Sequence, residues 1–274
     1  MTNTDTLNKS IFAVIGSTGN CGSALIQRLL KSPQNSIHAH CRSRAKLHRI
    51  LPQVIDNKQV RVFEGSITDV DLMAACLRGT KAVFLVASTN ANIPGCRIAQ
   101  DTAATVIRAL KKIKADAAST TTELTLPKLV LLSSSTIDDH LARHMPWWFR
   151  PVMLTAASNV YEDLRVAEQL LRSHDDLVPT VFIKPGGLSV DVARGYRLTL
   201  DEEESFVSYQ DLAAGMVEAA ESPDGRFDGR NVGVVNAQRG VGAKFPRGTP
   251  ITILTGLARH YLPWLHPYLP VGGP

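Results

Sequence analysis

The stretch IFAVIGSTGNCGSALIQRLL, residues 11–30, opens with an apolar run from Ile11 to Ile15 that stops at Gly16. Three glycines then fall at intervals of three, Gly16, Gly19 and Gly22, with Thr18, Asn20 and Cys21 between them. After them Ala24, Leu25, Ile26, Leu29 and Leu30 recur at helical spacing. The pattern predicts a buried strand, a tight turn and the start of a helix. A helix start offers unpaired backbone N–H groups and the positive end of a dipole, which suits a phosphate. Glycine allows the sharp turn, the close approach of a pyrophosphate and the tight seating of the helix on the strand. The spacing is GxxGxxG, not the commoner GxGxxG, yet with strand and helix both in place it points to a dinucleotide site.

Working outward, Ser36–Cys41 alternates as a second strand and is followed by Arg42, Arg44 and Lys46. In a dinucleotide-binding unit this strand end meets the adenosine ribose. An acid there suits the 2′-hydroxyl of NAD, and an arginine accommodates the 2′-phosphate of NADP. The basic cluster without an acid therefore favours NADP(H), with the Arg42 guanidinium as a forked donor. A third strand, Val60–Glu64, leads to Ser66 and Ile67 and to Asp69, expected to cap a helix. A fourth, Ala82–Val86, ends in Ala87-Ser88-Thr89, small residues that leave room for a nicotinamide ribose. A helix is expected over about 95–114, and the polar run DAASTTTELT, 116–125, reads as a loop or insert.

A fifth strand from Leu126 to Leu132 runs into Ser133-Ser134-Ser135-Thr136, hydroxyls at the carboxyl end of a parallel strand where such sheets bind ligands. Residues 138–157 break the strand–helix rhythm and carry Trp147, Trp148 and Met153, expected to form a lid or substrate wall. Ser158–Arg172 is an amphipathic helix with Tyr161 and Arg165 four apart. The sixth strand, from Thr180, ends in the turn Lys184-Pro185-Gly186-Gly187-Leu188, of which Lys184, Pro185, Gly186 and Gly187 are expected to bind the cofactor. A hairpin or peripheral strand is expected over 198–207, a helix capped by Ser208, and a last strand over 231–235. The fold class is α/β, a Rossmann-like doubly wound parallel sheet over 1–236. Residues 237–274 form a C-terminal arm and an apolar segment that reads as a dimer face, a pocket cover, a peripheral membrane contact or packing on its own domain.

Composition narrows the class. The 274 residues are 44% hydrophobic with a net charge of +5, and the basic residues are scattered, which argues against a nucleic-acid surface. The four cysteines, Cys21, Cys41, Cys76 and Cys96, have no metal spacing. His140 and His144 lack a third ligand, and no hydrolase or metalloprotease motif occurs, so no metal is expected. The polar N-terminus MTNTDTLNKS and the absence of a long apolar run lead to the expectation of a soluble cytoplasmic protein.

The glycine turn, the basic strand end, the Ser133–Ser135 cluster and Tyr161-x-x-x-Arg165 ahead of Pro185-Gly186 together resemble an atypical short-chain dehydrogenase/reductase of the NmrA-like, NAD(P)-binding branch. Within it, LVLLSSSTIDDHLAR, VYEDLRVAEQLLRS and FVSYQDLAAGM resemble the fungal averufin oxidase A-type proteins of polyketide secondary metabolism. The resemblance implies NADP(H) and an aromatic polyketide substrate, with Trp147, Trp148, Met153 and Leu188 on the substrate side. It implies Tyr161 as proton donor, with Ser134 or Ser135 bonding the substrate oxygen. The family pattern has a lysine four residues after the tyrosine; here Arg165 stands there, and Lys184 is the reserve for that role. A reductase of a carbonyl, quinone or enone is the first expectation. A redox-neutral isomerase, cyclase or dehydratase and a non-catalytic NADP-binding regulator are the alternatives.

Overall fold

The computed structural model describes residues 10–120 and 125–270, without the side chains of 119 and 120. Part of the 116–125 run lies outside the described residues, and 116–120 is helix, not loop: α4, Ile98–Thr120, continues through it. The alanines at 115, 117 and 118 supply the helix propensity that the serine and threonine tail obscures.

The core is a sheet whose strands are β1 (Ser10–Ile15), β2 (Asn35–Cys41), β3 (Val60–Glu64), β4 (Ala82–Leu85), β5 (Lys128–Leu132) and β6 (Thr180–Ile183). Two more strands, β8 (Tyr196–Thr199) and β10 (Asn231–Asn236), extend it, while β7 (Leu188–Ser189) and β9 (Val207–Ser208) pair with each other outside it. Among the described residues the order is β3-β2-β1-β4-β5-β6-β10-β8, parallel except for the β8 edge. The order reverses between β1 and β4, and ligands of doubly wound sheets bind in the crevice at that point. This is the Rossmann-like arrangement the sequence predicts.

Period-two alternation explains the two layers. Phe12 and Val14 face one way, in the cluster with α1 (Asn20–Leu29), Leu47 of α2 (Arg44–Ile50) and α7 (Tyr209–Glu221). Ala13 and Ile15 face the other, against α3 (Val70–Leu77), α4 and α6 (Ser158–Arg172). All four β1 side chains are fully buried, so the strand reads as a continuous apolar run. At about 1.5–3 kcal/mol per buried large side chain, these two clusters hold the sheet in place.

Caps fix the helix starts. Asp69 accepts from the amides of Asp71 and Leu72 at 3.1 and 2.9 Å, and Ser208 from that of Asp211 at 3.0 Å, as their positions predict. The start of α4 is capped from a distance. Asp163 of α6 accepts from the amides of Ala99 and Gln100 at 2.8 and 2.9 Å, which ties down the connection after β4. Two further helices, α5 (Phe149–Ala156) and α8 (Thr249–Tyr261), pack on each other at the carboxyl side of the sheet. A Cβ at Gly256 would lie 2.1 Å from the Ala156 carbonyl oxygen, so only glycine admits this contact. No helix of the described residues is long and apolar enough to cross a membrane.

Candidate active site

The glycine turn lies at the switch point and divides three tasks among its glycines. Gly16 has φ +103°, and a Cβ there would lie 2.7 Å from the Ala87 amide nitrogen, so it lets the end of β4 close in. A Cβ on Gly22 would lie 2.2 Å from the Gly16 carbonyl oxygen, so Gly22 seats α1 on β1. Around Gly19 only the Gly16 oxygen comes near, at 3.5 Å, which leaves its face open. The first turn of α1 has neither a side-chain cap nor an acid. Its N–H groups and dipole are thus available to an anion, and the residues present fit a dinucleotide pyrophosphate. Cys21 takes part only through its backbone. Its thiol is buried against Met216, Sγ to Sδ 3.7 Å, and burial pushes its pKa up to about 12.

At the end of β2 the three cations part company. Arg44 binds Glu64 at the end of β3, with its amide donating at 2.9 Å and its Nε 3.6 Å from the carboxylate. An acid 20 residues downstream in the chain therefore holds a residue expected to bind phosphate. Arg42 is exposed and Lys46 half-buried, and neither head group has a partner among the described residues. Beneath them His40 is sealed, its Nε2 without a hydrogen bond, and burial holds its pKa below the ordinary value. Ser66 forms a hydroxyl pair with Thr68 at 2.8 Å, next to the half-buried Ile67.

Across the crevice, Ala87 and Thr89 are half-buried and Ser88 is exposed after β4. The three serines after β5 differ sharply. Ser133 donates to Glu168 and faces inward, and Ser135 is fully buried with an unpartnered hydroxyl. Ser134 is the accessible one, accepting from the Thr136 amide at 3.3 Å. The Tyr161 ring packs among the apolar residues between α4 and α6 at 8% exposure. Its hydroxyl has no partner among the described residues.

The cations expected beside Tyr161 are elsewhere. Arg165 is exposed and lies 3.8 Å from Glu162, because the 40° offset between positions four apart carries it out of a half-sunk helix. Lys184 does not reach toward a ribose. It is 3% exposed, with Nζ 2.9 Å from Glu168 and 3.5 Å from Asp138. Asp138 in turn accepts from Asn231 at 2.6 Å and from the amides of His140 and Leu141. Burial works to raise the Asp138 pKa, but the Leu141 amide, Lys184 and the His140 amide together hold it below the usual carboxylate value.

The turn after β6 is also more occupied than its sequence suggests. Pro185 accepts from the Ser135 amide at 3.0 Å. Cβ atoms at Gly186 and Gly187 would lie 2.2 Å from the Glu203 carboxylate and 2.5 Å from the Phe206 ring, so these glycines admit the 203–206 segment. Burial raises the Glu203 pKa above the ordinary value. Leu188 pairs with Val207 across β7 and β9 and packs on the core. Trp147 and Trp148 do not line an enclosed wall: they are 87% and 57% exposed, while Met153 is half-buried on α5.

Sequence reasoning passed over Tyr209. It opens α7 with its hydroxyl close to the side chains of Asn20 in the glycine turn and Asn90 after β4, and burial raises its pKa above the ordinary value. It also passed over Asn92, whose side chain donates to the Gly256 carbonyl at 3.1 Å and accepts from the Asn159 amide at 2.8 Å, linking α8 to the start of α6. Both lie in stretches that read as a helix start and a loop. Among the described residues no cluster of three His, Cys, Asp or Glu side chains could hold a metal ion.

A crevice at the switch point, an uncapped glycine-turn helix and hydroxyls at the ends of the neighbouring strands define a nucleotide-dependent α/β protein. The chain belongs to the family described as NAD(P)H-binding, whose profile matches residues 16–223. It is 66% identical to oxidoreductase dmxR7 of Cryptosporiopsis sp. over 229 residues, 84% of this chain and 95% of that one. It is 57% identical to oxidoreductase GME11367 of Pestalotiopsis microspora over 263 residues, 96% and 98% of the two chains. These matches bear out the resemblance to fungal NAD(P)-binding oxidoreductases. The fold is shared with a short-chain dehydrogenase/reductase of Veillonella parvula solved with NADP, TM-score 0.61 at 16% identity, covering 87% of this chain and 99% of that one.

Proposed function

We propose that this protein is a cytoplasmic, NADP(H)-dependent reductase of the atypical short-chain type, acting on a carbonyl, quinone or enone of an aromatic polyketide. The observation that carries the reading is the Tyr161 hydroxyl, on a ring 8% exposed and with no hydrogen-bond partner among the described residues. Arg42, unpaired at the end of β2, supports NADP over NAD. The oxidoreductase names of the relatives and the NADP and NADPH bound in the structures of two fold neighbours support the cofactor and reaction class. The free cysteines are consistent with a reducing compartment.

The amides at the start of α1 and Arg42 would hold the phosphates, and Ala87, Ser88 and Thr89 would border the ribose nearest the reaction. NADPH supplies hydride when bound. Tyr161 would donate its hydroxyl proton to the substrate oxygen, with Ser134 fixing that oxygen by a hydrogen bond. The half-buried Met153 and Leu188 remain on the substrate side.

One feature favours a second reading. Arg165 pairs with Glu162 and Lys184 with Glu168, so neither cation is paired with Tyr161. A redox-neutral isomerase, cyclase or dehydratase would need the phenol as an acid and no such cation. Wild type supplied with anthraquinones, xanthones and NADPH separates the readings by whether NADPH is consumed, and Tyr161→Phe tests the phenol in both. In that variant the reductase loses substrate-dependent NADPH oxidation while NADPH affinity stays unchanged. Product formation by the wild type without NADPH consumption replaces it with the redox-neutral reading, and an unchanged rate in the variant removes Tyr161 from either mechanism.

A further inference from the structure

A surface helix ordinarily shows polar residues opposite its packed face. Helix α8 does not. Its packed side is set by Gly256 against Ala156, yet the opposite side carries Ile251, Leu254 and Tyr261, which are 62%, 65% and 69% exposed. Beyond it the chain folds back, held by Arg259. That side chain is 2% exposed and donates to His266 Nδ1 at 3.0 Å and to the Pro270 carbonyl at 2.8 Å. The return places Trp264 and Tyr268 at the surface, 67% and 82% exposed. Ala156 of α5 meets Gly256, and Ser158 at the start of α6 meets His260 at 2.8 Å, which seats α8 on the α5–α6 junction.

We infer that this face is the two-fold interface between two copies of the chain. At about 150–250 Å² per aromatic side chain, the exposed parts of Tyr261, Trp264 and Tyr268 present on the order of 300–550 Å². With Ile251 and Leu254 added, that matches the ~300–600 Å² of the largest apolar patch on an ordinary monomer and is most of the ~800 Å² each partner gives to a standard interface. The charge content selects the occupant. From Thr249 to Pro270 there is no Asp, Glu or Lys, and the one arginine, Arg259, is buried. Arg150 of α5 is bound to Asp139 at 2.6 Å. An anionic membrane selects a helix edged with several free Lys and Arg, and Thr249–Pro270 offers none beyond the exposed Arg247 just ahead of it. A small ligand needs a concavity, and the stripe stands out on a helix. An uncharged apolar patch is complementary to itself, as a two-fold contact requires.

The test is the mass of the full chain in solution, by light scattering after size exclusion and by sedimentation velocity over a wide concentration range. The wild type is expected at twice the chain mass. Leu254→Glu and Trp264→Glu, both at exposed positions, should each halve it with circular dichroism unchanged. Ile55→Glu, exposed elsewhere on the molecule, should leave the mass doubled. A wild type that stays monomeric overturns the inference, and so does a dimer that survives Leu254→Glu. Sedimentation of a monomeric chain with phosphatidylserine vesicles would assign the face to lipid instead.

Discussion

Alanine at Gly19 and alanine at Gly22 differ by one methyl each and should fail in different ways. At Gly22 the new Cβ would lie 2.2 Å from the Gly16 carbonyl oxygen and 2.9 Å from both Gly16 C and Ser17 Cα. All three are backbone atoms, so relief requires α1 to move away from β1 by roughly an ångström, an overpacking cost of about 1–3 kcal/mol. For a chain of this size that lowers Tm by roughly 3–10 °C. The displaced helix start also takes the phosphate-facing amides with it, so NADPH affinity falls together with stability. At Gly19 the Cβ meets only the Gly16 oxygen at 3.5 Å, and φ is −84°, a value alanine accepts. Gly19→Ala should therefore melt within about 1 °C of the wild type. Its methyl would stand where a pyrophosphate must approach, costing one charge-assisted hydrogen bond of about 1.5–3 kcal/mol, a loss of about 10- to 150-fold in Kd. Differential scanning fluorimetry and NADPH fluorescence titration read the two quantities on the same samples. A Gly19→Ala protein that binds NADPH like the wild type would refute the assignment of the turn. One as destabilised as Gly22→Ala would refute the division of roles.

Three further outcomes follow from the geometry. Arg42→Ala should weaken NADPH binding about tenfold and leave NADH unchanged, while Arg44→Ala, already held by Glu64, should do less; isothermal titration compares them. Lys184→Met removes the nearest cation from Asp138 and Glu168, leaving Glu168 only Arg172 at 4.0 Å, and should cost about 3–5 kcal/mol in urea denaturation, a loss under 1 kcal/mol contradicting the network. Asp138 is held below the ordinary carboxylate value, so its contribution is complete above an unfolded pKa of about 4 and is lost as pH falls through the folded value. The stability gap between wild type and Asp138→Asn should accordingly close only on the acid side of pH 4, as pH-dependent unfolding would show.

What the sequence disclosed is what local chemistry encodes. The glycine spacing, the apolar run ahead of it and the caps Asp69 and Ser208 each act within a few residues, and each is found in place. What it concealed depends on partners distant in the chain. Nothing near Lys184 announces Glu168 and Asp138, nothing near Arg44 announces Glu64, and Asp163 reads as a surface acid until α4 arrives beneath it. The Tyr161–Arg165 pair shows the limit of helical spacing, because four residues share a face without sharing an environment when the helix is half sunk. Gly186 and Gly187 resemble a cofactor turn in sequence, yet their missing side chains make room for Glu203 and Phe206.

The account rests on a reductase built around the Gly16–Gly22 turn. Purified protein should be titrated with NADPH and then mixed with a panel of aromatic polyketides while the nicotinamide absorbance is followed. Saturable NADPH binding, with absorbance lost only when a substrate is added, is the predicted result. A protein that binds no NADPH, or that binds it and converts substrate without consuming it, would contradict the account.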